Sequence, residues 1–201
     1  LGLADSGFTV PEDQRGRLAV VYIGDEEGNL VPYFDQLDGG AVEPFESGGG
    51  GLYSTAGDYA RFVQMLLNGG EFQGRRYLGK ATVEFMMANH LDHLEMKHHG
   101  FDASAGFGIG GSVRISRSRA GSIGSIGRYG WNGAATTSYR IDPANGTLFI
   151  YMSQHMPYDQ FNLNSKIFNT FEQTISEYIK IVCFVECSAA LSQDVEHAKT
   201  G

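Results

Sequence analysis

Gly130, Gly133, Ala134 and Ala135 lie within Tyr129–Thr137, where a strand would normally carry bulk. The segment runs on into Tyr139-Arg140-Ile141-Asp142-Pro143 and reads as a strand edge, a turn and a second strand. Glycine inside a strand marks a bulge or a close approach by a ligand or another backbone. Bare backbone there offers hydrogen-bonding groups to whatever docks. Trp131, the only tryptophan, adds an apolar wall without a cation, and Asn132 beside it can donate one hydrogen bond.

Other chemically capable residues are scattered. Ser54-Thr55 precedes a helical apolar repeat, and capping accounts for the pair without a nucleophile. His90, His93, His98 and His99 crowd one stretch, but no cysteine lies near and no His-Glu-x-x-His pattern occurs. A solvated loop is expected there rather than a zinc site. His155 follows an apolar run and is expected at a rim or in the core. Cys183 and Cys187 stand four apart. On a helix they would share a face where a bridge strains the backbone, so two free thiols are expected. Arg114, Arg117, Arg119 and Arg128 form the only basic stretch, expected as a solvated hairpin rather than an anion-binding patch.

The elements that must position these residues follow from local pattern. Leu18 to Ile23 is apolar and β-branched, and a Gly28-Asn29 turn before Leu30-Val31 indicates a hairpin. Thr55 with Asp58 three residues on has the form of a capping box. Phe62, Val63, Leu66 and Leu67 then recur at helical spacing until Asn68-Gly69-Gly70 stops the helix. A second helix is expected from about Thr82 to Asn89. Strands are expected over Phe107–Ile115, Ser125–Trp131, Ala135–Ile141 and Leu148–Ser153, with Asp142-Pro143-Ala144-Asn145-Gly146 as the last turn. A final helix from near Phe161 puts Ile167, Phe168, Phe171, Ile175, Tyr178, Ile179 and Val182 on one stripe, a face suited to cover an antiparallel sheet. Residues 1–182 are expected to form one unit, and 183–201 a divergent tail that frays.

Composition bounds the function. A chain of 201 residues suffices for one domain with a core, or for a large part of a bigger one. A net charge of -8 repels phosphate backbones, which argues against nucleic acid as a partner. The 28 glycines cluster between apolar stretches, as loops and backbone-lined strands do. No run approaches the ~18 apolar residues of a membrane span. No signal peptide is present in this sequence, and the compartment stays open.

Several blocks, in order, resemble one family. Gly49-Gly50-Gly51-Leu52-Tyr53-Ser54-Thr55-Ala56-Gly57-Asp58 resembles a stretch of the β-lactamase-related serine hydrolases, and so do Phe107-Gly108-Ile109-Gly110 and Leu3-Ala4-Asp5-Ser6-Gly7-Phe8. Trp131-Asn132-Gly133 resembles the Trp-x-Gly form of that family's third active-site motif, and Ile141-Asp142-Pro143 continues the match. The resemblance spans about residues 1–180.

It implies an α+β fold, a β-lactamase/transpeptidase-like antiparallel sheet flanked by helices. It also implies an acyl-serine mechanism without a metal or organic cofactor. On this resemblance Ala134 would supply a strand N–H to the oxyanion hole, and Trp131, Asn132 and Gly133 would line the substrate pocket. Tryptophan where related enzymes carry a cation favours small neutral esters over ester or amide substrates bearing a carboxylate. The family's nucleophile motif Ser-x-x-Lys and its Tyr-x-Asn motif occur nowhere in the 201 residues. The expectation is therefore the C-terminal portion of an esterase-type domain, inactive by itself and given to self-association or pairing with an N-terminal half. The rival readings are a non-catalytic binding module and a β-lactamase or D-amino-acid peptidase.

Overall fold

A computed structural model describes residues 1–33, 46–94, 104–120, 123–159, 162–174 and 183–186. After a 3-10 turn at Glu12–Arg17 come β1 (Val21–Gly24) and β2 (Leu30–Tyr33), then helix α1 (Ala56–Leu67). A short ribbon follows, β3 (Glu71–Phe72) and β4 (Arg75–Arg76), then α2 (Lys80–Met86). Next are β5 (Ala105–Phe107), β6 (Ser112–Arg114), α3 (Arg117–Ala120), β7 (Tyr129–Asn132), β8 (Ser138–Asp142) and β9 (Thr147–Met152). The described chain closes with β10 (His155–Met156), α4 (Leu163–Thr174) and β11 (Cys183–Glu186).

The main sheet has the order β11-β9-β8-β7-β6-β5, antiparallel throughout except for the β11–β9 pair. Side chains alternate across it. Val113, Tyr129, Tyr139, Ile141, Leu148 and Ile150 join the core that contains Val63, Met65 and Leu66 of α1. Phe149 turns the other way, against Phe168 and Phe171 of α4, with ring centroids 5.5 and 4.9 Å apart. Covered on both faces, β9 buries all but its last residue.

Helix α1 begins as expected. The Thr55 hydroxyl accepts from the Asp58 N–H at 3.2 Å. Asp58 does not complete the box. Its carboxylate accepts instead from the Asp5 N–H (2.7 Å) and the Ser6 hydroxyl (3.0 Å), and Ser6 also bonds Ser54 at 2.7 Å. The cap thus doubles as the anchor of the N-terminal segment, helped by the Gly7–Tyr53 bridge. The β1–β2 hairpin also forms, and β1 pairs in parallel with β10.

Several expectations are corrected. Phe107–Ile115 is not one strand, because Gly108 N–H closes onto Gly111 O at 2.8 Å and folds the run into the β5–β6 hairpin. The second helix starts earlier and ends sooner than Thr82–Asn89. The strands expected from Ser125 and Ala135 begin only at Tyr129 and Ser138. Cys183 lies in β11, paired with β9, rather than on a helix. Cys187 and the rest of 187–201 lie outside the described residues, as do Ile175, Tyr178, Ile179, Val182, His98 and His99. Among the described residues no helix is long and apolar enough to cross a membrane.

The α1 face carries a tyrosine cluster with a consequence for pH. Tyr139 lies between Tyr59 (5.4 Å) and Tyr129 (6.3 Å). Burial disfavours the phenolate in all three, raising Tyr129 and Tyr139 and pushing Tyr59 up to about 12. The unfolded value is about 10. The neutral phenols' stabilising contribution is therefore whole below about pH 10 and is lost as pH rises through the folded values. Urea midpoints measured from pH 8 upward should hold until about pH 10 and then fall, with tyrosinate absorbance lagging that of free tyrosine. Tyr59→Phe should flatten part of that decline; an unchanged slope would refute the assignment to this cluster.

Candidate functional site

Strand β7 lies between β6 and β8, with Gly130 opposite Ser112 and Arg140, and Trp131 opposite Tyr139. The bareness at Gly130 serves backbone packing. A Cβ there would run into the carbonyl oxygen of Tyr139 and lie 3.0 Å from Arg140 Cα. The close approach is therefore made by the neighbouring strand.

Trp131 is 41% exposed, its ring edge-on to Phe107 with centroids 4.8 Å apart. Asn132 is half-buried. Alternation along β7 sends these two side chains to opposite faces of the sheet. Arg140 holds the far face. Its Nη1 donates to Trp131 O (3.0 Å) and Tyr139 O (2.7 Å), and its Nη2 donates to Asn132 Oδ1 (2.8 Å). With the amide oxygen fixed, the Asn132 NH2 is the end left to donate.

The strand ends at Asn132, and Ala134 does not continue it. Gly133 N–H donates to Thr137 O at 2.8 Å and Thr136 N–H to Gly133 O at 3.0 Å, so residues 133–136 form a β-turn. Ala134 occupies the exposed second position of that turn. Among the described residues its N–H has no acceptor.

The residue that sequence reasoning missed is Thr136, which is 1% exposed and holds φ 67, a left-handed conformation unusual for a β-branched side chain. Contacts from three later segments hold it there. Its hydroxyl donates to His155 O (2.8 Å) and accepts from the Asp159 N–H (3.0 Å), while Ser153 Oγ donates to Thr136 O (3.2 Å). His155 N–H in turn donates to Ala135 O at 3.1 Å. His155 is thus a buried histidine whose backbone supports the turn.

The remaining candidates sit elsewhere. Ser54 bonds Ser6, and Thr55 caps α1. The His90 ring bonds Phe85 O at 2.7 Å. His93 lies beside Asp92 at the surface. Among the described residues no group of three or more His, Cys, Asp or Glu is placed to hold a metal.

The expected solvated arginine hairpin is corrected. Arg114 is only 8% exposed and donates to Gly124 O. Arg128 is nearly buried, forms an ion pair with Glu172 of α4 and stacks over Phe168 at 4.2 Å. Long-range partners on α4, invisible to local patterning, draw it inward. Arg117 stays exposed, and the Arg119 side chain lies outside the described set.

Comparison with known proteins places this geometry in a family. The Beta-lactamase family profile matches residues 1–168. An uncharacterized protein of Mycobacterium tuberculosis (strain CDC 1551 / Oshkosh) is 36% identical over 166 residues, covering 78% of this chain and 41% of that protein. The chain therefore spans about two fifths of this relative's length. Among solved structures, the LovD6 mutant of simvastatin synthase from Aspergillus terreus superposes with a TM-score of 0.66 at 21% identity, covering 84% of this chain and 44% of that one. EstCE1, described as a hydrolase with promiscuous acyltransferase activity, gives 0.57 at 23% identity, covering 72% and 40%.

The packing at Gly130 makes a direct prediction. Gly130→Ala forces a methyl against strand backbone that cannot step aside, so urea unfolding should show a loss of about 1–3 kcal/mol. Gly16→Ala, with nothing within 4 Å of the new methyl, should stay within about 0.5 kcal/mol of the parent. Equal stability of the two variants would contradict the close β7–β8 approach.

Proposed function

The chain belongs to the Beta-lactamase family, and on that premise we propose that it carries the third-motif wall and one oxyanion-hole donor of a serine esterase acting on small neutral esters. The observation that carries this reading is Ala134. It follows Trp131-Asn132-Gly133, is exposed, and has an N–H that no described residue accepts. A preorganised backbone donor of this kind suits the oxygen of a tetrahedral intermediate, since it needs no reorganisation as charge develops. Removing one such donor typically costs about 100- to 1000-fold in rate.

The substrate class follows from Trp131. Its half-exposed ring offers an apolar wall, and the nearby guanidinium, Arg140, commits its donors to Trp131 O, Tyr139 O and Asn132 Oδ1. Among the described residues no cation is thereby presented beside the indole for a substrate carboxylate, which supports neutral esters over penicillins or peptides with free carboxylates. The description of EstCE1 as a hydrolase with acyltransferase activity accords with acyl transfer from an ester. The nucleophilic serine, its lysine and the tyrosine shuttle would be supplied by polypeptide outside these 201 residues.

A second reading has its own support. The sequence holds neither Ser-x-x-Lys nor Tyr-x-Asn, and a chain working without them would bind acyl ligands without turnover. Covalent labelling separates the present sequence from a complete enzyme. The pure chain should release no burst of p-nitrophenol from p-nitrophenyl acetate and take up no fluorophosphonate. Stoichiometric labelling of one serine would overturn the claim that the nucleophile lies elsewhere.

The wall assignment is tested in a complex that restores activity, with an N-terminal half bearing Ser-x-x-Lys and Tyr-x-Asn. There Trp131→Lys should move relative kcat/KM toward carboxylate-bearing esters by about tenfold or more, the worth of one charge-assisted hydrogen bond. An unchanged ratio would remove Trp131 from the pocket. The exposed Trp131, Ile109 and Ile126 side chains favour association with such a half.

A further inference from the structure

Among the described residues four that are not glycine hold a positive φ, and three of them share one junction: Thr136 (67°), Asp159 (49°) and Asn162 (53°). The Asp159 N–H donates to the Thr136 hydroxyl at 3.0 Å, and the Asn162 N–H to Asp159 O at 2.8 Å. Strained backbone of this kind gathers where function needs a fixed geometry. We propose that Thr136 is a positioning residue, whose hydroxyl fixes the 133–136 turn and so aims the Ala134 N–H. The inference rests on the reading of Ala134 as an oxyanion donor.

The hydroxyl is used on both sides. It donates to His155 O at 2.8 Å while accepting from Asp159. At 1% exposure, its loss would strip a partner from each of two backbone groups. Two carbonyls of the turn are held from the same later segment: Ala135 O accepts from the His155 N–H at 3.1 Å, and Thr136 O from Ser153 Oγ at 3.2 Å. Asp159 also accepts from the Asn164 N–H of α4 at 2.9 Å, and Asn164 Oδ1 accepts from the Ser138 hydroxyl at the start of β8 (3.2 Å). Contacts therefore run from the turn to α4 and back to β8. Glycine would take the left-handed φ without strain. Threonine is strained there, and what it offers in exchange is a pair of hydrogen bonds that glycine cannot make.

Thr136→Gly and Thr136→Ser separate the hydroxyl from the backbone conformation. The first removes the hydroxyl and accepts the φ; the second keeps the hydroxyl. Amide hydrogen exchange, read by NMR on the 201-residue chain, follows the His155 N–H that bonds the turn. It should exchange about tenfold faster in Thr136→Gly, the effect of one lost hydrogen bond, and as in the parent in Thr136→Ser. Amides of β9 should keep their protection in both. Unchanged His155 exchange in Thr136→Gly, or equal acceleration across β9, would overturn the positioning role. In the complex that restores activity, Thr136→Gly should lower kcat about tenfold or more with little change in KM, and Thr136→Ser should recover it. Ala134→Pro tells this inference apart from the reading beneath it, because proline suits the second position of a β-turn and removes only the N–H. If Ala134→Pro lowers kcat and Thr136→Gly does not, the positioning role is wrong and the donor stands. If Ala134→Pro leaves kcat unchanged, the donor reading fails, and the role of Thr136 in catalysis falls with it.

Discussion

One buried threonine joins the parts of this molecule. Thr136 sits at the tip of the β7–β8 connection in a left-handed conformation that its branched side chain disfavours. Such conformations persist only where surrounding contacts over-determine them. Those contacts come from the end of β9, from β10 and from the loop before α4, through Ser153, His155 and Asp159. Because β10 also pairs with β1, the same junction ties the β7–β8 turn to the small sheet and the N-terminal segment. The shape of the turn therefore depends on chain more than a hundred residues away in sequence.

The two faces of the main sheet have different chemistry, and β7 mediates between them. The α1 face is apolar with phenols, whose burial keeps them neutral. On the α4 face Arg128 and Arg140 lie over the Phe168 ring, and Arg128 pairs with Glu172. Arg140 links this face to the end of β7 by gripping Trp131 O and Asn132 Oδ1 from behind. Asn132 is thus oriented from the α4 face, and β7 is held by its rear face as well as by its neighbours.

What could be read from the sequence was what is local. The Thr55 cap, the α1 stripe and its stop at Gly69–Gly70 depend on residues within a few positions, and all three formed. The family and fold class were legible because several glycine-bearing blocks occur in one order. Strand limits were less so, since a glycine run supports a strand or a turn equally. Gly108–Gly111 became a turn, and Tyr129 holds its Ile109 carbonyl at 2.5 Å from across the sheet. The burial of Arg128 was hidden because Glu172 lies 44 residues away. Thr136 was hidden for a similar reason, since the side-chain contacts that bury it come from Ser153, His155 and Asp159, later in the chain.

That last point bears on the proposed oxyanion donor. The resemblance implied a strand N–H at Ala134, whereas the structure places Ala134 in a β-turn. The change favours the proposed role. In a strand an N–H is either committed to a neighbour or left on an edge whose direction follows the sheet's twist. In a β-turn the first and fourth residues share the hydrogen bond, here Gly133 O with Thr136 N–H, and the second residue's N–H is left outside it. Its direction is then set by the turn, and the turn is set by Thr136. A donor held by a turn, whose turn is held by a buried hydroxyl, is preorganised without any side chain of its own. The proposed role thus asks nothing of the residue beyond its backbone, and alanine suits it.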